Sequence, residues 1–378
     1  NGTCECPNAT VGDTAVIGGV TYTAVDDNSI AGQIANGNVN LCTTLVTDMS
    51  ELFKDNTSFN SDIGFWDTSN VTNMRFMFYG TSSFNQSLNN WDTSSVTNMS
   101  SMFAGDTNGN SIYNQPLNNW DTSNVVNMDR MFGNQAEFNQ DISGWDVSNV
   151  TNMRQMFGGI FNQDISGWDT SSVTDMSAMF FQNQSFNQDI SGWNTSSLTN
   201  MNNMFNLALA FNQNIGGWDT SNVTDMSYIF NDNSSFNQDI GNWNTAAVTD
   251  MGGMFKQATA FNQNLTGWCV SSITSEPSSF ATSSALTEAN KPVWGTCPNG
   301  SVDTTAPVIT LTGSSTINLP LGDTFTDPGA TATDNVDGNL TSSITTSGTV
   351  NTSTAGTYII TYSVSDAASN TASVNRTV

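Results

Sequence analysis

The sequence contains no histidine, which removes the usual general base, the usual member of a catalytic triad and the commonest metal ligand. Cations are almost as scarce: seven Lys and Arg stand against 33 Asp and Glu, for a formal net charge of −26. Such a surface repels nucleic acid and anionic lipid, so neither is an expected partner. Charged residues of both signs make up only 11% of the chain. The polar surface therefore consists mainly of Asn, Ser, Thr, Gln and Gly, a composition common in secreted proteins. Long apolar runs are missing as well, and none approaches the length of a membrane span, so no insertion is expected. The chain opens at Asn1 without Met, as a processed or trimmed N-terminus would.

What is present is a period. Trp66, Trp91, Trp120, Trp145, Trp168, Trp193, Trp218, Trp243 and Trp268 recur at 25-residue intervals, apart from one of 29 and one of 23. A repeat of this length is the mark of units that each bury an apolar face on the next. The tryptophans, with the Met row, are read as core. In each unit a Phe-Asn-Gln-Asp-Ile segment, as in Phe186–Ile190, alternates like a short strand. The following segment places Val96, Met99, Met102 and Phe103 at the spacing of one helix face, with Asp92, Thr93 and Ser94 as capping residues. The length changes, between Phe103 and Tyr113 and between Phe157 and Phe161, fall between these two segments. The expected fold is thus an α/β solenoid of about nine turns, one short strand and one short helix per turn.

Several rows could carry more than packing. Asn60, Asn85, Asn114, Asn139, Asn162, Asn187, Asn212, Asn237 and Asn262 follow the Phe or Tyr of every unit. They are read as a ladder whose amides bond the backbone of adjacent turns. Asp62, Asp141, Asp164, Asp189 and Asp239 form one carboxylate row; Asp67, Asp92, Asp121, Asp146, Asp169 and Asp219 form another. Like charges one turn apart need capping, solvation or a bridging cation such as Ca²⁺. A row of Thr72, Thr97, Thr151, Thr174, Thr199, Thr224 and Thr249 suits helix N-termini, with an ice-ordering face as the other reading.

Five cysteines remain, and counting in register places Cys42 one period before Asp67 and Cys269 in an Asp slot of the last unit. They are read as staples tying the ends to the array: Cys269 with Cys297, and Cys42 with Cys6 or Cys4. That implies an oxidising, extracellular compartment and leaves one of Cys4 and Cys6 over.

Four regions follow: an N-terminal cap over 1–45, the repeats over 46–280, a C-terminal cap and connector over 281–303, and an all-β sandwich over 304–378. In the first, Val16–Tyr22 reads as a hairpin around Gly18-Gly19, and 26–37 as a short helix. In the last, alternating runs at Val308–Leu311, Thr316–Leu319, Ile344–Thr346 and Tyr358–Val364 are separated by turn signals. An open edge is expected near Val378.

The stretch Phe161–Met176, Phe-Asn-Gln-Asp-Ile-Ser-Gly-Trp-Asp-Thr-Ser-Ser-Val-Thr-Asp-Met, resembles the units of BspA-like bacterial surface proteins, which are related to leucine-rich repeats. The tail resembles a bacterial immunoglobulin-like surface module through Asp303–Ile309, Phe325–Ala330, Asp334–Gly338 and Ala355–Tyr358. These resemblances imply a cell-surface or secreted protein that acts by adhesion or as a structural module, with no catalytic motif to transfer. Its partners would be surface proteins or glycans of a host or neighbouring cell, or further copies of itself. A filament- or layer-forming subunit is the alternative; a glycosidase built on paired carboxylates is not expected. Asp334 and Asp337 are the candidates for a Ca²⁺ site; no other cofactor is expected.

Overall fold

Gly18 and Gly19 both adopt positive φ, +60° and +84°, a conformation that side chains disfavour, and so close a tight hairpin. It joins β1 (Thr14–Ile17) to β2 (Val20–Asp26), paired antiparallel with Ile17 opposite Val20. A six-residue helix, α1 (Ile30–Ala35), follows, and β3 (Leu41–Leu45) lies parallel to β2. The computed structural model describes residues 2–106, 109, 111–298, 306–334, 337–366 and 370–378. It divides into two units, Asn1–Pro298 and Asn299–Val378. Part of the inserted stretch before Tyr113, and the connector from 299 onward, lie outside the described residues.

The α/β solenoid expected from the sequence does not form. Among the described residues α1 is the only α-helix, ahead of the repeats, and no named strand falls between Leu45 and Val308. Each repeat is instead a series of tight turns hydrogen-bonded to the units on either side. In one unit the N–H groups of Met176, Ala178, Phe180 and Gln182 donate to the carbonyls of Asn200, Asn202, Met204 and Asn206 of the next, at 2.7–3.0 Å. The N–H groups between them, of Met179, Phe181 and Asn183, close turns onto Met176, Ala178 and Phe180. A helix would have kept every one of these bonds within its own segment. The segment is too short, and too rich in Ser, Thr, Asn and Asp, to nucleate a helix alone. A neighbouring coil offers acceptors without that requirement. The cost is backbone strain: Ala178 and Gln182 sit at φ of 53° and 60°, and the same two positions recur in left-handed conformation through most units.

The predicted strand fails for a different reason. At Asn187 the backbone N–H donates not to the main chain of the previous unit but to the side-chain Oδ1 of Asn162, 3.0 Å away. An amide has been inserted where a strand would place a carbonyl. Parallel bridges recur at one position of every unit, from Asp48 through Asn73, Asn98, Asn127, Asn152, Asp175, Asn200 and Asp225 to Asp250, with a further one between Phe132 and Phe157.

Inside, two columns of phenyl rings stack face to face. Phe180, Phe205, Phe230 and Phe255 follow one another at 5.7–5.9 Å between ring centres. Each also lies 3.8–4.1 Å from its neighbour in the second column, Phe186, Phe211, Phe236 or Phe261. The columns pass undisturbed through the shortened unit, where Phe157 and Phe161 are 3.9 Å apart. All nine repeat tryptophans are buried. Each hides about 150–250 Å², an upper-bound contribution of roughly 4–6 kcal/mol.

Both ends carry a cap. At the first, the carboxylate of Asp27 accepts the N–H and hydroxyl of Thr47, at 2.7 Å each. At the last, carbonyls of Ser278, Phe280 and Thr282 receive the N–H groups of Gly253, Phe255 and Gln257, and Trp294 packs edge-on against Phe280.

The C-terminal unit holds two three-stranded antiparallel sheets. One contains β4 (Val308–Leu311), β5 (Ala330–Asp334) and β6 (Gly338–Asn339); the other contains β7 (Thr345–Ser347), β8 (Ile359–Ser365) and β9 (Thr371–Thr377). The Thr316–Leu319 run forms no strand and touches β9 only through a parallel bridge from Thr316 to Thr377. β9 is the last strand of its sheet; Val378 exchanges two backbone bonds with Tyr358 on the β8 side, and on the outer side Thr377 bonds Ser315 and Ile317. Arg376, on β9, is fully buried. Its Nη2 donates to the carbonyls of Thr312 and Gly329, and its Nε lies 3.8 Å from Asp327.

Candidate interaction surface

The asparagine row is a continuous chain of acceptors. The Oδ1 atoms of Asn60, Asn85, Asn114, Asn139, Asn162, Asn187, Asn212 and Asn237 each accept the backbone N–H of the next Asn in the series, ending on Asn262, at 2.9–3.1 Å. Most of these oxygens accept a second bond, from the following Gln, as Asn162 Oδ1 does from Gln188 Nε2 at 3.0 Å. Asn262 Oδ1 passes the pattern to the cap by accepting from Thr287 N–H and Asn290 Nδ2. The row is exposed or half-buried rather than sealed in the core.

The tryptophan row is linked in the same way. Every indole N–H donates to a carbonyl of the preceding unit, as Trp193 does to Ile165 at 3.1 Å, and Trp66 reaches Val39 in the N-terminal cap.

Neither carboxylate row caps a helix. Asp189 Oδ1 accepts the N–H of Ser191 and Asp121 Oδ1 that of Ser123, both turns closed two residues on. Bonds from Ser123 and Ser143 hold the carboxyls of Asp121 and Asp141 below the usual carboxylate range. Asp164 is lowered by Ser166 against the opposing charges of Asp141 and Asp189. A carboxyl with a lowered folded pKa stabilises the fold above its unfolded value, near 3.9, and that contribution is lost as pH falls through the folded value. Urea unfolding is therefore expected to show a plateau above about pH 5 and a steady loss below about pH 4. Asp129 runs against this trend: burial raises its carboxyl although Arg154 lies 3.6 Å away.

In the threonine row, Thr199 turns both its N–H and its hydroxyl onto the carbonyl of Thr174, at 2.9 and 3.0 Å. The hydroxyls donate in this way along the row, from Thr72 to Thr249. Val126 fills the one slot without Thr and keeps the N–H bond, to Thr97.

Cys6 is bonded to Cys42 and Cys269 to Cys297, across sequence separations of 36 and 28 residues; Cys4 is a free thiol. Burial, and then the charge of Asp67, raise the Cys4 pKa.

Asp334 Oδ1 accepts the backbone N–H of Asp337 at 2.9 Å. Ca²⁺ takes six to eight oxygens, and among the described residues no group of three acidic or Cys side chains is placed to hold a metal ion. A cavity of about 350 Å³ is lined by Glu5, Thr44, Trp66, Asp67 and Asp92. Asp67 is committed there, accepting from the hydroxyls of Thr44 at 2.6 Å and Ser69 at 2.7 Å.

Two groups of residues escaped sequence reasoning. Asn183 and Asn233 are fully buried at the corner between the turns and the next Phe, and Gln135 takes the same slot. Asn183 donates to Phe161 O at 2.9 Å and accepts from Ser185 and Phe186 N–H at 3.0 and 2.9 Å. The signal was an amide midway between two Phe six residues apart, hidden among many other Asn. The second is Tyr113, alone in a column of Phe. Its hydroxyl is buried with no partner among the described residues, and burial pushes its pKa far above the usual range. Tyr113→Phe is expected to stabilise the protein by about 1–2 kcal/mol, read as a higher urea midpoint, because it removes a desolvated group and keeps the stacking on Phe103.

Residues 27–113, 107–190, 145–218 and 179–294 all match one family, and together they span well over half of the chain. The chain belongs to that family, described as Mycoplasma protein of unknown function, DUF285. Residues 309–378 match the bacterial surface protein, Ig-like domain. The DUF285 match does not extend to leucine-rich repeats, and units without a strand and a helix lack that geometry. No curated protein and no solved structure matches the chain. No helix among the described residues is long and apolar enough to cross a membrane.

Proposed function

We propose that this is an extracellular, non-enzymatic surface protein whose repeats present a rigid, periodic face to proteins or glycans of other cells. The reading rests above all on the surface-protein domain matched at 309–378. The hydrogen bonding of the repeats agrees with it. Trp indoles, Asn amides and Thr hydroxyls are spent on holding the units together, and one oxygen of many Asp side chains closes a turn within its own unit. What is left outward recurs from unit to unit, an arrangement suited to weak contacts summed over many sites. The test is binding of the full chain to a glycan array and to whole cells. Saturable binding that weakens as units are removed supports the reading; no binding at high protein concentration overturns it.

A structural subunit that polymerises is the second reading, favoured by the free thiol of Cys4. Stacking onto the C-terminal end of the repeats is disfavoured, because the cap takes the N–H groups and the Asn262 acceptor of the last unit. Light scattering under oxidising and reducing conditions tests it: growth that reverses on reduction supports it, and a constant mass under both overturns it.

A further inference from the structure

A strand that ends a sheet turns half of its main-chain groups outward. β1 ends the sheet β1-β2-β3. Ile17 and Val20 close the hairpin, so Ile17 and Ala15 face β2 and the N–H and C=O groups of Thr14 and Val16 point away. All four residues of β1 are exposed, Val16 by 70% and Ile17 by 59%. Natural edges are guarded by charge, proline, bulges or a covering segment. Within Thr14–Ile17 β1 has none of these; a bulge, in which Gly12 at φ +90° and Asp13 oppose Ala24, comes just before it. No charged residue stands between Asp13 and Asp26, and the pairing with β2 is regular from Thr14 to Ile17. By contrast, the apolar edge strand β4 starts directly after Pro307, and β7 is a three-residue Thr-Thr-Ser strand.

The electrostatics select the occupant and its direction. Copies of a chain with net charge −26 repel over most of their surface and can approach closely where charge is missing. In an antiparallel pairing centred on Ala15, Thr14 lies opposite Val16 of the second copy and Val16 opposite its Thr14. All outward donors and acceptors then meet, and Asp13 faces Ile17 of the second copy. A parallel pairing in register would set Asp13 against Asp13. We propose that β1 pairs antiparallel with β1 of a second copy, joining the two sheets across a two-fold axis into one of six strands. This goes beyond the reading of the repeats as a binding face and stands whether or not they bind a ligand.

The test is sedimentation velocity on the full chain carrying Cys4→Ser, so that thiol cross-links play no part, over about a hundredfold range of concentration. A monomer–dimer equilibrium is expected. Val16→Pro removes an outward N–H and none of the β1–β2 bonds, so it should weaken the dimer at least about tenfold while leaving circular dichroism and melting temperature unchanged. Val16→Lys should do the same and guards against a local effect of proline. Thr14→Cys and Val16→Cys, mixed and oxidised, should cross-link to each other far faster than either does alone. A monomer throughout, a dimer that survives Val16→Pro and Val16→Lys, or cross-linking no faster in the mixture would overturn the proposal.

Discussion

Trp193→Ala is expected to lower the stability of the repeat unit by about 3–5 kcal/mol. The indole is buried, stacked on Trp218 at 6.2 Å with planes 6° apart, and its N–H donates to Ile165. Alanine removes the ring, leaves a cavity and takes one of two donors from the Ile165 carbonyl, which keeps the N–H of Trp168. Trp193→Phe separates these effects: most of the packing stays and the hydrogen bond goes, for an expected loss of about 1–3 kcal/mol. Stacked repeats need not unfold in one step. The decisive readout is therefore hydrogen exchange, with protection lost first in the units of Trp168, Trp193 and Trp218. Uniform loss over all nine units would show instead that the array unfolds as one body.

Asn183→Ala is expected to cost about 2–4 kcal/mol, since it strands the buried N–H of Phe186 and the carbonyl of Phe161 together. Asn183→Gln should lose far less, because Gln135 performs the same task in another unit, accepting from Glu137 and Phe138 and donating to Tyr113. Asn183→Asp keeps the acceptors and turns a carboxylate toward a carbonyl, so its penalty should ease as the pH is lowered. Urea unfolding at pH 7 and pH 5 distinguishes the three. Equal losses for alanine and glutamine would remove the corner bonds from the account.

The period of this fold was legible because Trp has no substitute at its nine positions. The register of Cys42 and Cys269 could be counted from it, and the Gly18-Gly19 turn announced its hairpin. The helix was misread for a physical reason. Val96, Met99 and Met102 stand three apart, a spacing that a helix face shares with successive three-residue turns, and only the position of the acceptors distinguishes the two. In this chain the acceptors lie one unit away. The strand was misread because alternation reports which side chains face inward and not what the backbone bonds to. At Asn162 and Asn187 a side chain has taken the place of the ladder. Asn183 stayed hidden because an essential amide looks like any other in an Asn-rich sequence, whereas a lone Tyr113 in a Phe column can be picked out by eye.

The acceptor chain along the asparagines has a consequence for how such proteins change in length. Each copy offers upward what it requires from below, so one more 25-residue block, or one fewer, meets the same partners at both of its junctions. Recombination between these near-identical segments would therefore yield longer or shorter variants that fold without compensating substitutions, with the two terminal closures needed only once.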